Sequence, residues 1–459
     1  MIKNILRMAF VSSAIMLATS CQTYQPLVLQ PETLYDEVST SRSRSVTDRE
    51  RLSFAEAATV MERNNTTLAS LKMAYEGQQR VAQIKTPLPN PSLAFGPSIG
   101  TNLEGGVSSA VQPFVGLGFS IPLGPRLIRT DELNEILAIQ AYNQTVVKHR
   151  SLYFELRQAF AQYSASTRVL DAHQVVAESF AETRRSTTRL VELGSISALG
   201  VMEADLQAAE MRVERLGLQA ESESAAATLG RLMAVDSAQI RTLKPEALPK
   251  HPPIPELAVL KQLLLANNAA LSEIEIELKV YDAELRLELA RQYPDLSIGL
   301  DVDDEVGESK RTFSVGLGLD IPVFDRNRQA IAKAENERAL RLVLYKGELS
   351  EMLSSVEEEY AKLQLIAQKL EVYRTEILPA ARKNVEAGER AMKFGAIDVL
   401  RYLDFVSQLR QVEIKQVELE GERWSGIVSL EQLVGLPLVN LMADELSPLK
   451  DSLKLLELE

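Results

Sequence analysis

The chain has 459 residues, 46% hydrophobic, 25% charged and only 5% aromatic, with 3 His, 1 Cys and a formal net charge of −13. That length corresponds to about three ordinary domains; a single Cys excludes an internal disulfide scaffold and any Cys-rich metal or redox site, and His149, His173 and His251 stand too far apart for a local His motif. The acidic balance argues against a general nucleic-acid binder, whose footprint is basic, and beyond the N-terminus no run reaches the ~18 apolar residues of a membrane-spanning helix.

At the N-terminus, Lys3 and Arg7 precede an apolar run from Met8 to Ala18, followed by Thr19, Ser20 and Cys21. A positive start, an apolar stretch too short to span a bilayer and small residues before a cleavage point predict an export signal over residues 1–20. The only Cys follows the small residues directly, which resembles the lipobox of bacterial lipoproteins, with Ala18 where Leu is usual and Leu17 beside it. Cys21 is therefore expected to carry lipid; the alternative is an ordinary signal followed by a spare thiol. Removal of residues 1–20 takes away two positive charges and leaves about −15.

The chain matches itself at a lag of about 200 residues. Asn64, Asn65 and Leu68 recur as Asn267, Asn268 and Leu271, and Pro91, Leu93 and Gly96 as Pro294, Leu296 and Gly299, at lag 203. Val115–Pro122 recurs as Val315–Pro322 at lag 200; Gly194 and Ile196 recur as Gly395 and Ile397, and Leu229 and Leu232 as Leu430 and Leu433, at lag 201. Five blocks in one order indicate a duplication of a large unit rather than a solenoid. The repeats are expected over 51–240 and 256–436, with an extended segment at 21–50, a Pro-rich linker at 241–255 and a tail at 437–459.

Each unit opens with a helical pattern, Ser53–Lys85 or Glu256–Gln292, followed by two strand-like stretches and a very long helical region, Arg126–Leu193 or Arg326–Phe394. A continuous helix over the 68 or 69 residues of that region is about 100 Å long, too long for a compact globular domain. Leu152, Leu156, Ala159, Tyr163, Ser166, Leu170, His173, Ala177 and Phe180 alternate spacings of four and three, as do Leu349, Leu353, Val356, Tyr360, Leu363, Ala367 and Leu370. This is a coiled-coil period, and His173 on it reads as a packed core histidine rather than a ligand. Turns at Gly194 and Gly395 start return helices, giving helical hairpins over about 126–235 and 326–434. Pro379 should kink the second long helix and make the halves unequal.

The strands, about 92–100, 111–121, 295–303 and 312–321, each have one apolar face and one small or polar face. Asp295, Asp301, Asp303 and Asp320 all fall on the polar face, which must then meet water or a lumen. The length and two-residue alternation are those of transmembrane β-barrel strands. Four strands cannot close a barrel, and an open edge cannot face lipid, so the barrel must be assembled from more than one chain.

The duplicated order of helix, strand hairpin, very long helix, tight turn and return helix resembles the TolC-type outer-membrane efflux channels over nearly all of residues 50–440. The resemblance rests on the repeated Gly-Leu-Gly-x-x-Ile-Pro strand endings, on Leu193-Gly194-Ser195 and Phe394-Gly395-Ala396 at the turns, and on Tyr402-Leu403-Asp404. It implies a mainly α protein with membrane β-structure: a homotrimer with a twelve-stranded barrel in outer-membrane lipid, continued by a periplasmic α-helical barrel. It also implies a periplasmic adaptor and an inner-membrane pump, of the RND type, as partners. Ile321–Arg328 resembles the branch serving heavy-metal cation pumps.

The same resemblance puts Asp404 at the constriction of the tunnel, where converging carboxylates would repel and favour cations. Arg401, one turn earlier on the same face, stands where a second carboxylate would complete a double ring, and Asp398 fits only with a different register. An ordinary exposed ion pair of Asp404 and Arg401 is the alternative. The tip residues Leu193, Gly194, Ser195, Phe394, Gly395 and Ala396 are implied adaptor contacts, or plain turn residues. No Ser-His-Asp, metal-ligand or phosphate-loop spacing occurs, and Gly116 and Gly118 lie inside a strand. A passive conduit without enzymatic activity, cofactor or resident metal is the expectation; a lipid-anchored periplasmic coiled-coil scaffold or adaptor is the competing one.

Overall fold

The computed structural model describes residues 24, 26–43, 50–101, 109–192, 199–248, 253–305 and 310–438. It divides into two units, residues 1–44 and 45–459. The first contains α1 (Pro31–Arg42), with Pro at the first helical turn, Glu32 near the N-terminus and Arg42 near the C-terminus. The expectation of an extended segment over 21–50 is corrected at these twelve residues.

The second unit opens with β1 (Arg51–Leu52), α2 (Phe54–Asn64) and α3 (Thr66–Gln83). Ser53 and Glu56 form a reciprocal capping box on α2. A strand pair, β2 (Ser92–Thr101) and β3 (Ser109–Pro122), leads into the 67-residue α4 (Arg126–Glu192), and the return helix is α5 (Leu199–Met233). The expected linker is partly structured: α6 (Ser237–Thr242) and β4 (Lys244–Pro245) lie at its start, β4 pairs parallel with β1, and the Tyr163 hydroxyl shares its one proton between the carbonyls of Ile240 and Leu243, 2.9 and 2.8 Å away.

The second copy repeats the plan with α7 (Leu257–Asn267), α8 (Ala269–Ala290), β5 (Asp295–Glu305), β6 (Lys310–Leu319), α9 (Arg328–Val372), α10 (Leu378–Lys393) and α11 (Val399–Val434). A five-residue π-turn, Tyr373–Ile377, joins α9 to α10. The long helix starts at Arg328 rather than Arg326, because Asn327 adopts the left-handed conformation at φ 56°. Pro379 does not end the helix: it falls in the first turn of α10, just after the π-turn, and helical dihedrals hold at Val372, Ile377 and Leu378. The two halves are unequal, as the sequence predicts.

The duplicated Asn and Leu residues have one structural cause. Asn65 caps α3 by accepting from the Thr67 and Leu68 amides, and its own amide donates to the Leu232 carbonyl at 3.3 Å. Asn268 caps α8 through the Leu271 amide and donates to the Leu433 carbonyl at 2.8 Å. Each copy thereby ties the break between its two short helices to the end of its return helix.

Two apolar clusters lie beside these ties. Leu52, Phe54, Met61, Tyr153, Phe154, Leu156, Leu229 and Met233 form the first, with the Phe54 and Tyr153 rings edge to face at 5.3 Å. Leu260, Leu264, Leu271, Val356, Leu363, Trp424, Ile427 and Leu430 form the second. His173 is fully buried on its seam, with Nε2 3.3 Å from Glu214.

Candidate functional site

Strands β2, β3, β5 and β6 form one antiparallel sheet in the order β2-β3-β5-β6, so the copies join at the β3–β5 pair. The register stacks the apolar positions into continuous rows: Phe95, Val115, Val302 and Phe313; Leu93, Leu117, Leu300 and Val315; then Phe119, Ile298 and Leu317. Phe313, Val315 and Leu317 are 72–74% exposed within the single chain, so this face is an uncovered apolar surface. The intervening rows carry Ala94, Gly116, Asp301 and Ser314, or Gly96, Phe114, Asp303 and Thr312. A Cβ at Gly116 would overlap the Asp301 carboxylate, so any larger residue there requires that side chain to turn away. Among the described residues, β2 and β6 have no neighbour on their outer edges.

The four acidic positions separate. Asp301 and Asp303 keep their places on the polar rows. Asp295 is not an isolated lumen acid: its carboxylate pairs with Arg126 at 3.0 Å, joining the base of β5 to the first turn of α4. Asp320 lies beyond β6, which ends at Leu319, correcting the expected end at 321. β3 extends to Pro122 because β5 pairs with it there, whereas β6 is an edge strand and Pro322 follows closely.

At the far end of the second hairpin, the amides of Gly395 and Ala396 bond to the carbonyls of Met392 and Ala391 at 3.0 and 2.8 Å, with Gly395 at φ 72°. This is a Schellman turn, and the positive φ accounts for the glycine. It leaves Phe394 87% exposed at the tip. Leu193, Gly194 and Ser195 of the other tip, and Cys21, lie outside the described residues.

One turn past this tip, Asp398 caps α11 by accepting from the Arg401 amide at 2.8 Å, so it is committed to the helix end. Arg401 Nη1 donates to Asp404 at 3.0 Å, and Gln408 reaches the same oxygen at 3.4 Å. The guanidinium also sits 5.0 Å from the centre of the Phe405 ring. Burial, and then the nearby Glu389, push the Tyr402 hydroxyl above its ordinary range. Sequence reasoning missed Gly388, where a Cβ would stand 2.6 Å from the Phe405 ring; a glycine inside a helical pattern was the available signal.

The sequence pairing also missed a contact high in the helical region. Arg157 of α4 and Glu431 of α11, 7% and 0% exposed, form an ion pair with Nε 2.6 Å from Oε2, and the Leu438 amide donates to the same carboxylate. Among the described residues no helix is long and apolar enough to cross a membrane, and no group of three or more His, Cys, Asp and Glu is placed to hold a metal ion.

A family model described as outer membrane efflux protein matches residues 260–436. The cobalt-zinc-cadmium resistance protein CzcC of Cupriavidus metallidurans is 25% identical over 269 residues, an alignment covering 56% of this chain and 62% of that one. Among solved structures, the outer-membrane channel OprN superposes with a TM-score of 0.69 at 18% identity, covering 91% of this chain and 98% of that one. CusC gives 0.65 at 15% identity over 91% and 99%, and the CmeC outer membrane channel of Campylobacter jejuni gives 0.67 at 13% over 94% and 98%. The second copy thus carries the sequence pattern of the outer membrane efflux protein family, and the fold along both copies is that of the solved outer-membrane channels.

Proposed function

We propose that the chain is the outer-membrane channel of a tripartite efflux system, a passive conduit of three copies that passes substrate from a periplasmic adaptor and an inner-membrane pump to the exterior. The observation that carries this reading is the four-stranded sheet, apolar in register on one face, small and acidic on the other apart from Phe114, without an outer neighbour at either edge among the described residues and continued by a 67-residue helix. Three such sheets joined edge to edge make a twelve-stranded barrel, and the ladder alternates direction correctly at each new seam, since β6 and β2 run antiparallel. A pore-free scaffold has no use for that face.

Divalent heavy-metal cations are the proposed substrate class, supported by the kinship with CzcC and by Ile321–Arg328. Asp404 would ring the constriction, held by Arg401, and Phe394, Gly395 and Ala396, with Leu193, Gly194 and Ser195, would meet the adaptor. Cys21 would carry lipid. Planar-bilayer recording of the purified oligomer tests the conduit: discrete cation-preferring conductance is expected, and a protein that never conducts, even with Asp404→Ala, sinks the reading. Metal sensitivity of a deletion strain tests the substrate class, and loss of fatty-acid labelling in Cys21→Ala tests the anchor.

A further inference from the structure

The end of α11 and the start of α8 meet beside α4 and α9, and the four helices border a cavity of about 530 Å³. Two independent sources of positive charge stand on its wall. The first is Arg150 of α4, which is 6% exposed. Its Nη1 donates to the Asn267 carbonyl at 3.3 Å, whereas Nε is buried without a hydrogen-bond partner. Among the described residues no carboxylate pairs with this cation, and burial holds its pKa below the ordinary arginine range. A buried charge left in this state is strongly unfavourable until an anion meets it.

The second source is the N-terminus of the 22-residue α8. The Asn268 side chain accepts from the Leu271 amide at 3.0 Å, while the Ala269 and Ala270 amides of the same first turn have no acceptor within the helix. Both residues line the cavity, so the positive end of the helix dipole borders the same space as Arg150. The duplication shows that the long helix does not itself need a cation here. At the lag of 200 that relates Val115–Pro122 to Val315–Pro322, the residue of α9 answering to Arg150 is Ser350.

Val147, Phe154, Met352 and Leu433 make part of the wall apolar, which suits a small organic body better than a hydrated inorganic ion. The acids on the wall do not oppose an anion at full strength. Glu358 and Glu359 pair with Lys362 at 2.8 and 3.2 Å. Burial, and then Glu277, raise the Glu273 carboxyl above its ordinary range, so it takes up a proton more readily than an exposed glutamate.

We propose that this cavity binds an amphipathic organic carboxylate, its anionic group held by Arg150 and the first-turn amides of α8, its apolar body against Phe154 and Met352. The site does not depend on the channel reading above.

The test is fluorine NMR titration of the purified full-length protein in a non-ionic detergent. The probe is para-(trifluoromethyl)benzoate, with para-(trifluoromethyl)benzyl alcohol as its uncharged counterpart, each referenced to protein-free micelles. The benzoate should bind about tenfold more tightly than the alcohol, Arg150→Met should abolish that difference, and Arg150→Lys should keep part of it. Ala269→Pro removes one amide at a position where Asn268 before it is already extended, and should weaken the benzoate about threefold while the fold is kept. Ser350→Ala should leave binding unchanged. A benzoate that does not bind the unaltered chain, or binds it no better than the alcohol does, overturns the site whether or not the variants fold.

Discussion

Arg157 and Glu431, 274 residues apart in the chain, meet as a buried ion pair that locks the long helix of the first copy to the return helix of the second. Arg157 also lies 5.5 Å from the centre of the Phe54 ring. Breaking a buried pair strands a charge and costs about 3–5 kcal/mol, while replacing both members by apolar residues is far milder. Glu431→Gln or Arg157→Met should lower the unfolding temperature sharply, and Arg157→Met with Glu431→Leu should recover most of it. Fluorescence of Trp424, the sole tryptophan, buried on the same helix as Glu431, reports the transition.

Gly388→Val should splay the tip of the second hairpin, since its Cβ would fall 2.6 Å from the Phe405 ring. Overpacking of this kind costs about 1–3 kcal/mol. A larger leak conductance in bilayers is the expected readout, with Phe405→Ala in the same chain restoring the closed level.

Arg401→Ala removes the cation that offsets Asp404. Because the pair is exposed, stability should change by no more than about 0.5 kcal/mol, while the bilayer reversal potential in a salt gradient should move toward greater cation preference. Asp404→Asn should move it the other way. An unchanged potential in both would exclude the pair from the conduction path.

Asp131 accepts from the Thr86 hydroxyl and amide at 2.6 and 2.8 Å. The hydroxyl bond first, then the amide and Lys85, hold its carboxyl below the ordinary range. A carboxyl depressed by folding contributes stability above its unfolded pKa and loses it as pH falls through the folded value. The attachment of residues 84–90 to α4 should therefore hold at neutral pH and loosen below about pH 4, seen as faster protease cleavage there. In Thr86→Val, cleavage should already be fast at pH 7.

Much of this was legible in the sequence because periodicity and duplication are local signals. The alternation in Thr312–Ile321 gives the apolar face of β6, and the spacing from Leu152 to His173 gives the seam of α4. What escaped depends on distant partners. Whether Asp295 faces a lumen or Arg126 is decided 169 residues away, and where β6 ends depends on its having one neighbour while β3 has two. The helix at Pro31–Arg42 was missed because its polar composition carries no marked apolar stripe. Pro379 signals an irregularity in the second long helix, but a proline alone does not disclose that it takes the form of a π-turn over Tyr373–Ile377.

The sheet's two open edges come from different copies, β2 from the first and β6 from the second. Every seam between subunits in the proposed ring is then a joint between unlike edges, and each subunit must supply both. A chain that folds but has lost one edge would still be taken up through the other, leaving the ring unclosed. If such a chain is made in equal amount with the intact one, only about one ring in eight is free of it. Edge-strand lesions, unlike lesions in the helices, should therefore behave as genetic dominants.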